Sequence, residues 1–152
     1  MTQQKAAIST INNLIETLKD GEKGFKEAAG AVKDPQLKSL FHEYSQQRHR
    51  FVTELQSQAQ SLGEFKPEKS SSTAGAMHRA WINLKSAVTS GEDKAILSEC
   101  ERGEDSAVYE YNEAMQDGLS GTAREIVARQ FTEIKGAHDR VKHLRDAAKK
   151  KT

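Results

Sequence analysis

The sequence predicts an all-α protein, a four-helix bundle whose second and third long helices are joined by a long crossover containing a short fifth helix. Three observations predict this fold. Only two of the 152 residues are proline, and residues that favour helices are abundant. Apolar residues recur at alternating spacings of three and four along most of the chain, as one helical face requires. Glycine, proline and polar runs interrupt the pattern at few points, which predicts long helices.

The first two helices are predicted over residues 3–32 and 35–62. Asp34-Pro35 is a capping residue followed by a first-turn proline, which favours a helix start, and Gly63 favours a stop. Two long helices joined by so short a turn are antiparallel neighbours. The apolar stripe of the first helix is formed by Ile8, Ile11, Ile15, Leu18, Phe25, Ala29 and Val32.

The crossover is predicted to begin with a polar loop over residues 64–73 (EFKPEKSSST). A shorter amphipathic helix over residues 74–90 follows, and Gly91 ends it. Its apolar face contains Met77, Trp81 and Leu84, which predicts packing against the outside of the bundle.

The last two long helices are predicted over residues 92–117 and 122–148, with Gly118 and Gly121 marking the turn. The second long helix spans roughly 40 Å at 1.5 Å per residue. A connection of about thirty residues can travel that length and return the third long helix parallel to the second. One long crossover between two helical hairpins is the ferritin-like topology. An up-and-down bundle of five helices is the alternative.

Length, charge and hydropathy limit the class of protein. The length predicts one domain over residues 1–152. A net charge of +1 without a basic face argues against a nucleic-acid partner, and residues 149–151 are interpreted as a solvated helix end. No run approaches the roughly 20 apolar residues of a membrane span, so we expect no membrane partner. A single cysteine, Cys100, and a first segment unlike a signal peptide favour a cytoplasmic location.

Each long helix has one conspicuous polar residue in step with its apolar stripe. These residues are Glu22, Arg48, Glu104 and His138, and Gln130 is a fifth inward candidate. Counting back from the turns places the first four at one height, which predicts a buried polar layer. The two halves also match weakly, since Gly21-Glu22 aligns with Gly103-Glu104 and Arg48 aligns with His138. This match indicates a duplicated helical hairpin.

The polar layer has two interpretations. One is an ion-pair cluster, because buried charges persist only when they are paired. The other is a di-metal site, which in bundle cores uses one Glu from each of two helices and Glu-x-x-His from each of the other two. Ser45 and Lys135 stand where the Glu of those motifs belongs, and the fixed charge of Arg48 repels a cation, so we favour the ion pairs. Candidate ligands of a metal are Glu22, Glu104, His138, His49, Glu101 and Glu133.

Four stretches carry a family resemblance: residues 14–28 (LIETLKDGEKGFKEA), 75–85 (GAMHRAWINLK), 94–105 (KAILSECERGED) and 137–146 (AHDRVKHLRD). They span nearly the whole chain. They resemble the bacterial ferritin-like four-helix-bundle proteins that are grouped as a domain of unknown function. The resemblance implies a ferritin-like fold and no settled activity.

The resemblance also bears on the candidate metal ligands. Glu22, Glu104 and His138 match ligand positions of the wider ferritin pattern. Arg48 departs from it, as do the two residues that stand in place of the motif carboxylates. The resemblance therefore implies a degenerate di-iron site.

Two functions remain as hypotheses. The one that we favour is a non-enzymatic structural or interaction protein, without a cofactor and without catalytic residues, that is expected to self-associate. The alternative is a di-metal carboxylate protein, with iron or manganese, that oxidises iron or consumes peroxide. Cys100 is expected to be a core residue and not a nucleophile, because no histidine has a place beside it.

Overall fold

A computed structural model of the chain describes residues 2–63 and 80–150. All regular secondary structure in these two ranges is α-helical, which confirms the predicted all-α class. The helices are α1 (Thr2–Ala31), α2 (Pro35–Ser61), α3 (Leu84–Ser90), α4 (Asp93–Gln116) and α5 (Gly121–Lys150). No helix within these ranges combines the length and the apolar character that crossing a bilayer requires.

The ends of the long helices lie within two residues of their predicted positions. Local chemistry accounts for this agreement at the start of α2, where the Asp34 carboxylate accepts a hydrogen bond from the Gln36 amide (2.8 Å) and proline occupies the first turn. Gly91 ends α3 in a left-handed conformation, with φ of 72°.

The described part of the predicted short crossover helix is only partly helical. Residues 80–83 form turns, and α3 begins only at Leu84. Residues 64–79 lie outside the described residues, and with them the predicted loop, the predicted start of the short helix and Met77. The Asn83 amide donates to the Glu99 carboxylate (2.8 Å), so a contact with α4 fixes the chain just before α3.

The four long helices pack side by side, α1 against α2 and α4, and α5 against α4 and α2. The Thr10 hydroxyl donates to Asp117, just beyond α4 (3.4 Å), whereas the Lys33 and Asp34 amides donate to Asp93 in the first turn of α4 (2.8 and 3.0 Å). Hence α1 and α4 are antiparallel, and α2 and α4 begin at the same end. The helices α2 and α4 are therefore parallel.

The last helix runs back along α2. Glu54, in the second half of α2, bonds to Arg129 and Gln130, in the first half of α5. These helices are therefore antiparallel as well. Since α5 begins at the end of the molecule where α1 begins, Thr2 and Lys150 lie at opposite ends.

Two apolar clusters fill the interior between the long helices. One cluster contains Ile11, Leu55, Tyr111, Val127 and Ile134 among its buried members. The other contains Phe25, Phe41, Ile96, Cys100 and Val141. Along both α2 and α4 the two clusters are separated by a short interval, and that interval holds Arg48 on α2 and Glu104 on α4.

Candidate functional site

A pair of opposite charges lies in the interior, where the two apolar clusters meet. The Arg48 guanidinium of α2 forks onto the Glu104 carboxylate of α4, with Nη1–Oε1 and Nη2–Oε2 distances of 2.5 and 2.8 Å. The two side chains are 1% and 0% exposed. Two parallel charge-assisted hydrogen bonds are the strongest form of this contact. Each group thus supplies the other with the hydrogen bonds and the opposite charge that replace the lost contact with water.

The surroundings of Arg48 complete the enclosure of this pair. The guanidinium carbon lies 5.2 Å from the centre of the Phe25 ring, a cation–π distance. The backbone of α1 comes close at Gly21, where an added Cβ would lie 3.4 Å from Nη1. Burial lowers the pKa of Arg48, but the charge and the hydrogen bonds of Glu104 raise it, and the net pKa lies above its ordinary value. The guanidinium therefore stays charged.

A second polar chain runs from the interior to the surface. The Tyr111 hydroxyl donates to Gln130 Oε1 (2.7 Å), and Gln130 Nε2 donates to Glu54 Oε1 (2.9 Å) and to the Phe51 carbonyl (3.4 Å). Glu54 in turn accepts from Arg129 (2.5 Å). Tyr111 and Gln130 are fully buried, and burial raises the pKa of the tyrosine. The placement of Gln130 in the interior agrees with its position on the apolar stripe.

Glu22 does not lie in the buried layer, which corrects its sequence-based placement. Its side chain is 33% exposed, and Oε2 lies 3.1 Å from Nδ1 of His49, which is 67% exposed. Close packing of α1 on α2 is maintained by the backbone, since the Ser45 hydroxyl donates to the Glu22 carbonyl (2.8 Å). The physical reason is charge balance: Glu104 already neutralises Arg48, so a second carboxylate buried against the same guanidinium would be left without a full counter-charge.

His138 also lies at an edge of the helical core and not in its interior, a second correction. Its side chain is 18% exposed, with Nε2 2.6 Å from Asp105 and Nδ1 3.1 Å from Asp139. Partial burial lowers the pKa of His138, but hydrogen bonds with Asp139 and Asp105 raise it, and the net pKa lies above the ordinary histidine value. Both ring nitrogens face carboxylates, so neither is directed at the buried pair.

The remaining candidate ligands are engaged elsewhere. Glu101 is buried and forms an ion pair with Arg145 of α5. The Glu133 carboxylate lies 3.8 Å from Arg129 at the surface. Across residues 2–63 and 80–150, no group of three or more His, Cys, Asp or Glu side chains is arranged to hold a metal. These side chains do not fit a di-metal centre, because both oxygens of Glu104 accept from a guanidinium.

The burial of two carboxylates near the ion pair was not identified from the sequence. Glu99 is buried although it lies off the apolar stripe of α4, and it pairs with Arg102 (3.1 Å). The ion pair between Glu101 and Arg145 was likewise not predicted. Glu101 and Arg145 lie on different helices, so their pairing depends on how the helices pack, and only an alignment showing paired changes could have indicated it. Glu99 and Arg102 are three residues apart in one helix, so their spacing permits the pair but does not show that Glu99 is buried.

Cys100 lies in the interior beside these groups. It is fully buried, and burial, followed by the charges of Glu104 and Glu99, raises the pKa of its thiol well above the ordinary value. A thiol in this state is a poor nucleophile.

Two surface grooves lie along α2, one on each side, and neither includes the buried pair. A groove of about 600 Å³ between α2 and α5 is lined by Leu37, Leu40, Arg140 and Leu144, among others. A groove of about 400 Å³ between α1 and α2 is lined by Glu22, His42, His49 and Arg50, among others. Neither is lined by Arg48 or Glu104, so neither brings a ligand to the ion pair.

Comparison with known protein families identifies the family to which the chain belongs. The model of the family described as Domain of unknown function (DUF2383) matches residues 6–117. The match covers most of α1 and all of α2, α3 and α4, and so includes both members of the buried pair, while α5 lies outside it. No curated protein matches the chain significantly. Because the family model matches more than half of the 152 residues, the chain belongs to the family DUF2383.

Proposed function

We propose that this protein is a non-enzymatic structural or interaction protein, built as a ferritin-like four-helix bundle in which an ionic layer replaces the di-metal site. The observation that carries the proposal is the fork of Arg48 onto Glu104 in the interior. A metal at this level needs the carboxylate oxygens that the guanidinium already engages. The fixed positive charge also repels a cation at that distance.

The topology supports the ferritin-like part of this proposal. Two helical hairpins, α1–α2 and α4–α5, pack together, and α2 and α4 begin at the same end. Two hairpins whose second and third long helices run parallel are the arrangement of ferritin-like folds, which join them by a long crossover. The resemblance of residues 14–28 and 94–105 to bacterial ferritin-like proteins supports the same topology.

The state of the interior charges supports a role without catalysis. General acid–base chemistry needs a titratable group that reaches a substrate with a pKa near the working pH. Arg48 and Glu104 neutralise each other away from both grooves described above. We therefore propose that the protein acts through contact with other surfaces, in the cytoplasm, where its one buried cysteine stays reduced.

Metal analysis tests the proposal. The protein is purified without chelator after growth with added iron and manganese, and its metal content is measured per chain. We expect far less than one ion per chain, and no change in the melting temperature on adding Fe²⁺ or Mn²⁺, because a ligand that binds the native state would raise it. Two ions per chain in the parent, lost in Glu104→Gln, would establish the di-metal alternative.

Self-association is the partner mode that we propose. Sedimentation velocity across a range of concentrations measures it directly. A single species at the chain mass of 16.9 kDa over the whole range would rule it out.

A further inference from the structure

Trp81 occupies a slot between two glycines on different helices. It lies three residues before α3, and the six-membered ring of its indole bridges the backbones of α1 and α4 at Gly24 and Gly103. A Cβ added at either glycine would lie closer than 3.0 Å to ring atoms: Cδ2, Cε3 and Cζ3 on the Gly24 side, and Cε2, Cζ2 and Nε1 on the Gly103 side. Only glycine at both positions leaves room for the indole.

The indole also covers the aromatic ring beside the buried ion pair. It meets Phe25 edge to face, with ring centres 5.3 Å apart and planes at 73°. The same Phe25 ring lies beneath the guanidinium of Arg48. Gly103 immediately precedes Glu104 in α4, and Phe25 contacts both the indole and the guanidinium, so the slot lies next to the level of the ion pair.

The helix that follows Trp81 depends on this contact. An α-helix of seven residues is not stable alone in water, because so few hydrogen bonds do not offset the cost of nucleation. Within residues 2–63 and 80–150, this segment is also attached by the buried side chains of Leu84 and Ala87 and by the hydrogen bond from the Asn83 amide to Glu99. Segments held by few buried contacts open at a lower free energy than the core.

We infer that Trp81 is a latch that holds α3 onto α1 and α4, and that it opens while the four long helices stay folded. Opening withdraws the indole from the glycine slot and exposes Phe25 and the backbone of α1 and α4 outside the ion pair. The latch is a property of α3 and its contacts, so it stands whether or not the protein binds a metal or a partner.

Fluorescence tests the latch in the unmodified protein, because Trp81 is the only tryptophan in the chain. Urea unfolding is followed in parallel by tryptophan emission and by far-ultraviolet circular dichroism. We expect the emission to shift to the red at a lower urea concentration than the loss of helix. Coincident transitions, the mark of a single cooperative unit, would overturn the inference.

A matched pair of glycine variants tests the slot without denaturant. In Gly103→Ala we expect red-shifted emission and stronger quenching by acrylamide, with the helical signal retained. Gly136→Ala in α5 is the control, since a Cβ there meets nothing within 4 Å and the emission should be that of the parent. Equal emission from the two variants would show that the glycine slot does not hold the indole.

Trp81→Ala keeps the inference testable if Gly103→Ala fails to fold. Hydrogen exchange should show loss of amide protection over α3, with protection of the four long helices maintained. Protection of α3 equal to that of the parent would mean that Trp81 is not the latch. Loss of protection throughout the chain would mean that α3 does not open separately.

Discussion

Aligned polar residues of the two helical hairpins differ in whether their side chains are buried. Arg48 in α2 aligns with His138 in α5, and Glu22 in α1 aligns with Glu104 in α4. All four follow the apolar stripes of their helices. Only Arg48 and Glu104 enter the interior, where they meet across the interface between the hairpins. Glu22 and His138 remain at the edges of their own hairpins.

The availability of a partner explains this difference. One guanidinium neutralises one carboxylate, and a further buried charge would stay desolvated at a cost of several kcal/mol. At the edges, each excluded residue finds a partner on the neighbouring helix of its own hairpin, His49 for Glu22 and Asp105 for His138. Helical phase therefore decides which side chains can reach the interior, and charge balance decides which of them are buried there.

Breaking the interior pair from one side should give the largest effect. Arg48→Ala or Glu104→Gln leaves one charge buried without its partner, and we expect each to lower the free energy of unfolding by about 3–5 kcal/mol. That is a large share of a typical total of roughly 5–15 kcal/mol. Urea denaturation measures it. A loss below about 0.5 kcal/mol, as at an ordinary surface site, would contradict the burial of the pair.

Replacing both interior charges should have a smaller effect than the two single changes combined. In Arg48→Met/Glu104→Leu no charge remains to be desolvated, so we expect the loss to fall short of the sum of the two single losses by about 0.5–3 kcal/mol. The single variants Arg48→Met and Glu104→Leu complete the cycle. Additive losses would mean that the two side chains do not interact.

The edge pair of α4 and α5 should make stability depend on pH. The pKa of His138 is raised in the folded state above its ordinary value of about 6.5. Its contribution is therefore complete at pH values below the unfolded pKa and is lost as the pH rises through the folded pKa. At a partly exposed pair it amounts to about 0.2–1 kcal/mol.

Titration of the His138 imidazole by NMR measures this pKa. Asp105→Asn should lower the pKa and flatten the pH dependence of stability. A pKa below the ordinary histidine value in the parent would show that burial outweighs the two carboxylates.

The edge pair of α1 and α2 should give the smallest effect. Glu22→Gln removes a carboxylate that is partly solvated and faces an exposed histidine, so we expect a change in unfolding free energy within about 0.5 kcal/mol. Compared with Glu104→Gln, it makes the same chemical change at the aligned position. Equal losses of unfolding free energy in Glu22→Gln and Glu104→Gln would show that the two carboxylates do not differ in burial.

The sequence could predict the long helices because their limits are set locally. The Asp34-Pro35 step and Gly118 act on the backbone beside them, whatever surrounds the helix. The start of α3 could not be predicted in this way. It depends on the position of Trp81 between two glycines that are distant in the sequence.

The candidate site could also be predicted only in part from the sequence. The stripes located Arg48, Glu104 and Gln130, which are buried. They could not separate these from Glu22 and His138, because the period gives the direction of a Cα–Cβ bond and not the end point of a long side chain.

The opposite placement of Thr2 and Lys150 has a mechanical consequence. A force pulling on these two residues acts along the axes of α1 and α5, and so loads their contacts with the other helices in shear over about 45 Å. Sliding one hairpin past the other by one helical turn, about 5.4 Å, would separate the Arg48 guanidinium from Glu104, while apolar side chains would exchange one neighbour for another. The ion pair thus fixes the axial register of the two hairpins under such a load.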